Sequence, residues 1–487
     1  MAGIGFELKK IFAKKGILNS VKAYSYAAVI CTGPMLLGIL LLLGITGLCM
    51  AVGTDIHVRE LLISMITHTL LASTAVSALF SAIVTRFIAD MLFEENKSAV
   101  LPAFWGSTVL MMVIGDVLYG AFLVCSGATL LQGILCFTLF GELIIVWNAM
   151  NFLSAIKDYK GIFLSFFTSV VITIIIGALL LFLGLPVLES LLFAVVIGYG
   201  VMLMWDVILL HRYFPNSKGG AFTFLKWFDS YLPLALSNLF MTVGMFSHII
   251  IMWYSDIGVR TEGLFYGSPW YDVPALLAYL TSIITTINFV VSVEVTFYPK
   301  YRNHYSLYND RGTIDNIKQA EKEMIGTLKT ELFYSALKQL LFTAFVIAIG
   351  GYLLDLLPLG FNEIMRGYFR TLCVAYGICA IGNMMMLILF YFTDYDGALM
   401  STAVFAAVTI LCTLLSLAYS NMYYGFGFVI SSLVFTVVAA VRLDYFTKHL
   451  PYYILSVQPL VNEEKMGPFT RLSKFLEGIL EGKKNDE

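Results

Sequence analysis

The stretch that decides the fold is TAVSALFSAIVTR, residues 74–86, read beside TTINFVVSVEVTF, residues 285–297. In the first, Thr74, Ser77, Ser81 and Thr85 recur at i, i+3, i+7 and i+11, a spacing that draws one polar stripe along a helix. In the second, Thr285, Asn288, Ser292 and Thr296 repeat that spacing 211 residues later, and Thr281 extends the stripe one turn. Val84 and Val295, and Gly33 and Gly244, keep the same offset. An internal repeat of this length divides the chain into two six-helix halves. An even number of spans per half makes the halves parallel, related by an axis along the membrane normal, with a transport route between them. The two stripes are expected to face each other across that route.

Outward from the stripes, the whole composition is that of a membrane. The 487 residues are 59% hydrophobic and 13% charged, with mean hydropathy +0.85, which an ordinary water-soluble globule does not reach. Runs of roughly 20 apolar residues can cross a bilayer as helices. Twelve occur, near 23–50, 60–88, 100–124, 129–153, 161–185, 190–211, 228–254, 274–298, 334–357, 367–393, 397–418 and 425–446. The fold class is therefore an all-α polytopic membrane protein with twelve transmembrane helices. Its expected divisions are an amphipathic N-terminal helix (1–22), a first bundle (23–212), a linker (213–227), a second bundle (228–446) with a cytosolic loop (299–333), and a tail (447–487).

With the N-terminus in the cytosol, all but Arg59, Arg260, Arg366 and Arg370 of the thirty Lys and Arg fall on the cytosolic side, so both termini are expected there. The loop between spans 10 and 11 runs against the trend: it carries Asp394 and Asp396 but no Lys or Arg. Residues 4–15 and 469–480 read as amphipathic helices that lie on the membrane surface or dock a partner. The segment 303–333 is polar and expected to be helical after Thr313. Seven cysteines lie in apolar segments without metal-ligand spacing and read as reduced packing residues.

No phosphate loop, metalloprotease motif, nucleophile elbow or dinucleotide fingerprint is present, and no metal or cofactor is expected. Charges inside spans are costly and therefore candidates for function. Asp116, Glu142, His68 and His248 are candidates for a coupling-ion site, although a buried Asp or His also serves as an interhelical hydrogen-bonding partner. Asp206, near Arg212, reads as an interfacial pair. Glu294 stands six residues before the basic exit at Lys300; straight-helix geometry places it off the stripe. A charge pair with Arg86 across the halves, or with Arg302 locally, would act as a gate. Gly33-Pro34 reads as a kink or hinge in span 1, since proline lacks the amide donor.

MAGIGFEL at the start, YSYAAVICTGPMLLG in span 1 and TRFIADMLFEENKSAVLPAFWG at the exit of span 2 resemble bacterial Pel exopolysaccharide exporters of the PelG type. These belong with the multidrug/oligosaccharidyl-lipid/polysaccharide (MOP) flippase superfamily, whose transporters include the MATE-like bundles. The motif matches cover roughly the first 106 residues; the tail after Phe446 does not match the family pattern. The resemblance implies an inner-membrane transporter moving an N-acetylgalactosamine-rich polymer outward for biofilm matrix. It also implies a cytosolic glycosyltransferase and membrane scaffold proteins as partners, with no nucleic acid. Two other readings compete: a lipid-linked oligosaccharide flippase or cation-coupled antiporter, and a membrane scaffold for the glycosyltransferase.

Overall fold

A computed structural model describes residues 33, 36–156, 158–309, 312–355, 361–456 and 466–485. The elements in chain order are α1 Leu36–Ala51, α2 Ile56–Phe93, α3 Val100–Cys125, α4 Leu130–Ala155, α5 Tyr159–Phe182, α6 Val187–Tyr213 and α7 Lys226–Trp253. A two-stranded hairpin follows, β1 Val259–Glu262 and β2 Phe265–Gly267. Then come α8 Pro269–Tyr279, α9 Ile283–Ser292, α10 Tyr298–Asn309, α11 Ile314–Asp355, α12 Glu363–Tyr391, α13 Tyr395–Ser416, α14 Phe426–Lys448, α15 Leu450–Ser456 and α16 Pro468–Asn485. Among the described residues eleven helical segments are long and apolar enough to cross a membrane, and α1 is a shorter apolar helix. They follow the twelve expected runs in order. The N-terminal amphipathic segment, Cys31 and Pro34 lie outside the described residues; Gly33 is helical and buried.

Packing gathers the chain into two compact units. One holds α1–α7, the hairpin and α16; the other holds α8–α15. The division falls between Pro269 and Trp270 and not in the 213–227 linker, because α7 packs along α2. In that first unit the core is formed by Leu62, Met65 and Ile66 of α2, Phe104 of α3, Phe140 and Phe152 of α4 and Leu192 and Val195 of α6, all fully buried. Phe104 and Phe152 meet edge to face at 5.3 Å, a favoured aromatic geometry.

Local chemistry sets where the helices start. The Thr129 hydroxyl accepts from the Gln132 amide and the Gln132 side chain accepts from the Thr129 amide, a reciprocal cap that opens α4. Asp158 caps α5 through the Gly161 amide. Near the start of α7, Tyr231 leaves helical geometry (φ −124°, ψ 25°), two residues before Pro233; the proline ring clashes with the carbonyl one turn back. The hairpin is antiparallel, pairing Val259 with Gly267 and Arg260 with Tyr266. Its turn residue Gly263 has φ +55°, and a Cβ there would collide with the Ser126 carbonyl. Only glycine lets the hairpin accommodate both.

In the second unit, α12 is covered by α11, α13 and α14. Phe405 of α13 stacks on Phe435 of α14 at 4.8 Å. Asp394 caps α13 through the Gly397 amide and also receives two hydrogen bonds from Arg442 of α14, at 2.6 and 2.7 Å. This explains the acidic loop that ran against the charge trend: its missing cation comes from α14.

Two expectations about span 8 change. It is not one straight helix but α8, a 3-10 turn at Leu280–Ser282, α9, a π-helical turn at Val293–Phe297 and α10. Pro299 cannot donate to the carbonyl four residues back, and a wider turn offers that carbonyl the next amide. Glu294 sits in the π turn, so its angular position read from ideal α geometry does not hold; its side chain lies outside the described residues. Span 9 starts twenty residues earlier than expected. At 42 residues and 1.5 Å per residue, α11 is about 63 Å long, about twice a bilayer core of ~30 Å. The polar segment after Thr313 is its extramembrane half.

Candidate functional site

The stripe of span 8 is answered, residue for residue, by a second stripe on α11 that the sequence analysis missed. The Thr285 hydroxyl donates to Gln339 Oε1. Gln339 Nε2 donates to the Thr281 carbonyl and to the Thr343 hydroxyl, both at 3.0 Å. One turn further, Asn288 Nδ2 donates to Ser335 Oγ at 2.6 Å, and Lys338 Nζ donates to Asn288 Oδ1 at 2.8 Å. The Ser292 hydroxyl donates to Glu331 Oε2 at 2.6 Å. Beyond the π turn the register continues as an ion pair, Lys300 to Glu323 at 2.6 Å. Each step forward along span 8 meets a step backward along α11, which is the geometry of two antiparallel helices joined by a polar seam.

Thr281, Thr285, Asn288 and Ser292 are buried in that seam, as are Ser335, Gln339 and Thr343 of α11. Thr296 is exposed. The α11 stripe was legible in principle: Glu331, Ser335, Gln339 and Thr343 recur every four residues. Its spacing does not stand out because Glu331 falls in the polar segment 303–333 while the other three lie in the apolar run 334–357, so the stripe crosses an expected boundary. A small cavity touches the seam, lined by Phe289, Ser292, Phe297, Glu331, Ser335 and Met384. Gly377 of α12 closes the upper end, since a Cβ there would press on the Thr343 hydroxyl.

The stripe of span 2 lies in the other unit and is held differently. The Thr74 hydroxyl donates to the Leu70 carbonyl, and that of Thr85, which is exposed, to the Ser81 carbonyl. Ser81 Oγ accepts from Asn238 Nδ2 of α7 at 2.8 Å. Ser77 is buried, and its hydroxyl has no hydrogen-bond partner among the described residues. Arg86 pairs with Asp90 of its own helix at 3.1 Å and lies over the Tyr231 ring at 5.3 Å. Asp90 also accepts from Trp227 Nε1 at 2.8 Å, tying α2 to the start of α7. Arg302 is exposed.

The expected coupling-ion residues do not gather into one cluster. Among the described residues, Asp116 Oδ1 and Glu142 Oε2 are shielded without a hydrogen-bond partner, and Glu142 Oε1 faces Gly200 of α6. His68 is enclosed by rings, stacked on Trp253 at 4.4 Å and edge-on to Phe265 at 5.4 Å, with Nδ1 near the Ser64 carbonyl. Trp253 is itself buried. His248 is buried and bonded to the Met245 backbone. Asp206 is not the interfacial ion expected: it is fully buried, with Ser165 beside it and neither oxygen in a well-formed hydrogen bond.

Among the described residues this seam sets hydroxyl and amide groups along two membrane-spanning helices, an arrangement compatible with the passage of something polar. A family model agrees: PelG, described as "Putative exopolysaccharide Exporter (EPS-E)", matches residues 1–455. The chain belongs to the PelG family. A search of curated proteins gave no match. Among solved structures, a MATE transporter of Vibrio cholerae is similar at TM-score 0.62 and 11% identity, over 93% of this chain and 99% of that one. An outward-facing multidrug resistance MATE transporter of the MOP superfamily is similar at 0.57 and 15%, over 88% and 96%. A MOP superfamily transporter of Pyrococcus furiosus is similar at 0.52 and 16%, over 87% and 96%. Identities this low establish the fold, which is that of MATE and MOP transporters. This PelG-family chain is therefore a multi-pass membrane protein of an exopolysaccharide export family.

Proposed function

We propose that this chain carries a growing Pel-type, N-acetylgalactosamine-rich polysaccharide across the bacterial cytoplasmic membrane, with both termini cytosolic. A cytosolic glycosyltransferase and membrane scaffold proteins of the same system deliver the chain. The observation that carries this reading is the polar seam of α9 and α11 in a member of an exporter family. A hydrated sugar polymer needs many exchangeable hydrogen bonds of similar strength and no single deep well. The seam supplies such groups in the closed state as pairs between helices, and parting the helices would free them for sugar hydroxyls. Ser77, whose hydroxyl is uncommitted, is the corresponding contact in the span 2 stripe.

Asp116, Glu142 and Asp206 are the groups best suited to couple movement to a proton or cation, because shielded carboxylates without partners change charge at a cost that a conformational change can use. Arg86 and Asp90 form the candidate latch at the end of α2. The pairing of Arg86 or Arg302 with Glu294 remains part of this proposal.

Two measurements test the reading. Cells that synthesise the polymer but lack this chain should accumulate it internally, and the intact chain should restore secretion. An Asn288→Leu, Ser292→Leu variant present at normal membrane levels should secrete at least tenfold less polymer. Undiminished secretion without the chain would refute the export role; undiminished secretion by the variant would refute the route.

A further inference from the structure

The family match ends at residue 455, yet α16, beyond it, is built into the first unit by specific contacts. The Asp229 carboxylate accepts from the Phe469 amide at 3.1 Å, the Thr470 amide at 2.7 Å and the Thr470 hydroxyl at 2.6 Å. It thereby caps the start of α16, where an anion is favoured by the free amides and the helix dipole. The Phe469 ring stacks on Phe228 at 5.1 Å. The Ser473 hydroxyl donates to the Phe222 carbonyl at 2.9 Å, and Glu477 accepts from the Phe222 amide at 2.6 Å. Gly220 and Gly467 leave no room for a side chain against Glu477 and Asp229.

Those contacts use one face: Phe469, Thr470, Ser473, Leu476 and Glu477. A second apolar face remains open. Leu472, Phe475 and Ile479 recur at i, i+3 and i+7 and are 41%, 65% and 47% exposed. By helical geometry this stripe lies roughly 120° around the helix from the docked face, and Arg471 and Lys474 border it. The helix is tethered at Phe222, Phe228 and Asp229, the entry of the membrane-spanning α7. Its place is thus fixed at the boundary between hydrocarbon and water. Four cations, Arg471, Lys474, Lys483 and Lys484, outnumber its two carboxylates, Glu477 and Glu481, and Glu477 is already engaged.

We infer that α16 is a surface anchor whose open face, Leu472, Phe475 and Ile479, inserts into the interfacial layer of a bilayer containing anionic lipid, with its basic residues on the headgroups. An apolar face, a basic flank and attachment to a membrane span are the features of an interfacial helix. The anchor holds the 213–227 linker and the kinked start of α7 against the membrane.

The test uses the full chain in liposomes of acyl-brominated lipid, with and without phosphatidylglycerol. Phe475→Trp adds one fluorophore to six native tryptophans. Its added emission should be largely lost to bromine quenching in anionic liposomes and much less in zwitterionic ones. Gly478→Trp, at a position with open space around it and on the basic side, should stay unquenched, reporting that the helix is oriented and docked. Arg471→Gln with Lys474→Gln should remove the dependence on anionic lipid. Unquenched Trp at 475 in both liposomes would overturn the proposal and point to a protein partner on that face. Equal quenching at 475 and 478, or quenching indifferent to lipid charge, would overturn it as well.

Discussion

Gln339 is the residue whose replacement reports most directly on the seam. Gln339→Leu removes two interhelical hydrogen bonds, to Thr285 and to the Thr281 carbonyl, and one within α11 to Thr343. Interhelical side-chain hydrogen bonds in membranes average about 0.6 kcal/mol and reach about 1.7, so the interhelical loss is about 1.2 kcal/mol. Relaxation lowers it. Thr285 stands four residues after Thr281, and its hydroxyl can turn to the freed carbonyl of its own helix. The expected cost is thus about 1 kcal/mol, roughly a fivefold shift in the unfolding equilibrium. In a double-mutant cycle with Thr285→Val, the coupling should be about 0.6–1.7 kcal/mol. The assay is reversible unfolding in lipid bicelles. A leucine variant as stable as the parent, with zero coupling, would refute the view that these hydrogen bonds join the helices. A loss above about 3 kcal/mol would refute the relaxation argument, because it would mean buried groups left unpaired.

Two more predictions follow from the second unit. Asp394→Ala strands Arg442, whose side chain is 22% exposed; breaking a buried pair costs about 3–5 kcal/mol, and the residual exposure puts this one near 3. Asp394→Asn should recover about 1 kcal/mol by keeping the cap on α13, and an alanine variant within 1 kcal/mol of the parent in the same assay would sink the account. The second concerns His304 in the extramembrane α10, which is buried against Tyr305 and Tyr308, with Glu321 near Tyr308. Burial holds its ring below the usual histidine value, partly offset by the Ile317 backbone. The unfolded segment takes up a proton below about pH 6.5, so the packing of α10 is fully favoured above that and weakens as pH falls through it. Protection factors for amide exchange across 298–309 and 312–328, each rate taken relative to its intrinsic value at the same pH, should therefore fall from about pH 7.5 to 5.5, and His304→Phe should abolish the change; an unaltered pH profile in that variant would show that another group is responsible.

How far the seam was legible depends on which residues carried a signal. The stripe of span 8 stood out because polar residues at helical spacing are conspicuous in an apolar run. Its partner on α11 did not, because Glu331 and Lys338 merge with a polar segment and nothing in the spacing says where a 42-residue helix enters the membrane. The π turn escaped notice for a similar reason: Pro299 advertises a disturbance, but whether the backbone kinks, breaks or widens depends on what packs against it. Asp206 was misjudged from its sequence distance to Arg212. Burial is a property of neighbours, and α5 supplies them.

The acidic loop at 394–396 shows the same division. The sequence displayed a charge imbalance, and only the packing of α14 against α13 put Arg442 in reach of Asp394. Likewise, the amphipathic pattern of the tail was readable, but an amphipathic helix specifies only that its apolar side is covered, not by what. The contacts at Asp229 and Phe222 made that choice for one face.

By itself the sequence determined the membrane, the number and order of the spans and the helical character of the polar segment after Thr313. Each follows from local quantities: hydropathy over about twenty residues, and periodicity. Tertiary structure alone decided which polar groups are spent on one another, where α7 belongs and which carboxylates stand without partners. Hydrogen bonds between helices join residues that the chain keeps about fifty positions apart, as Thr285 and Gln339 are, and no local pattern records that distance.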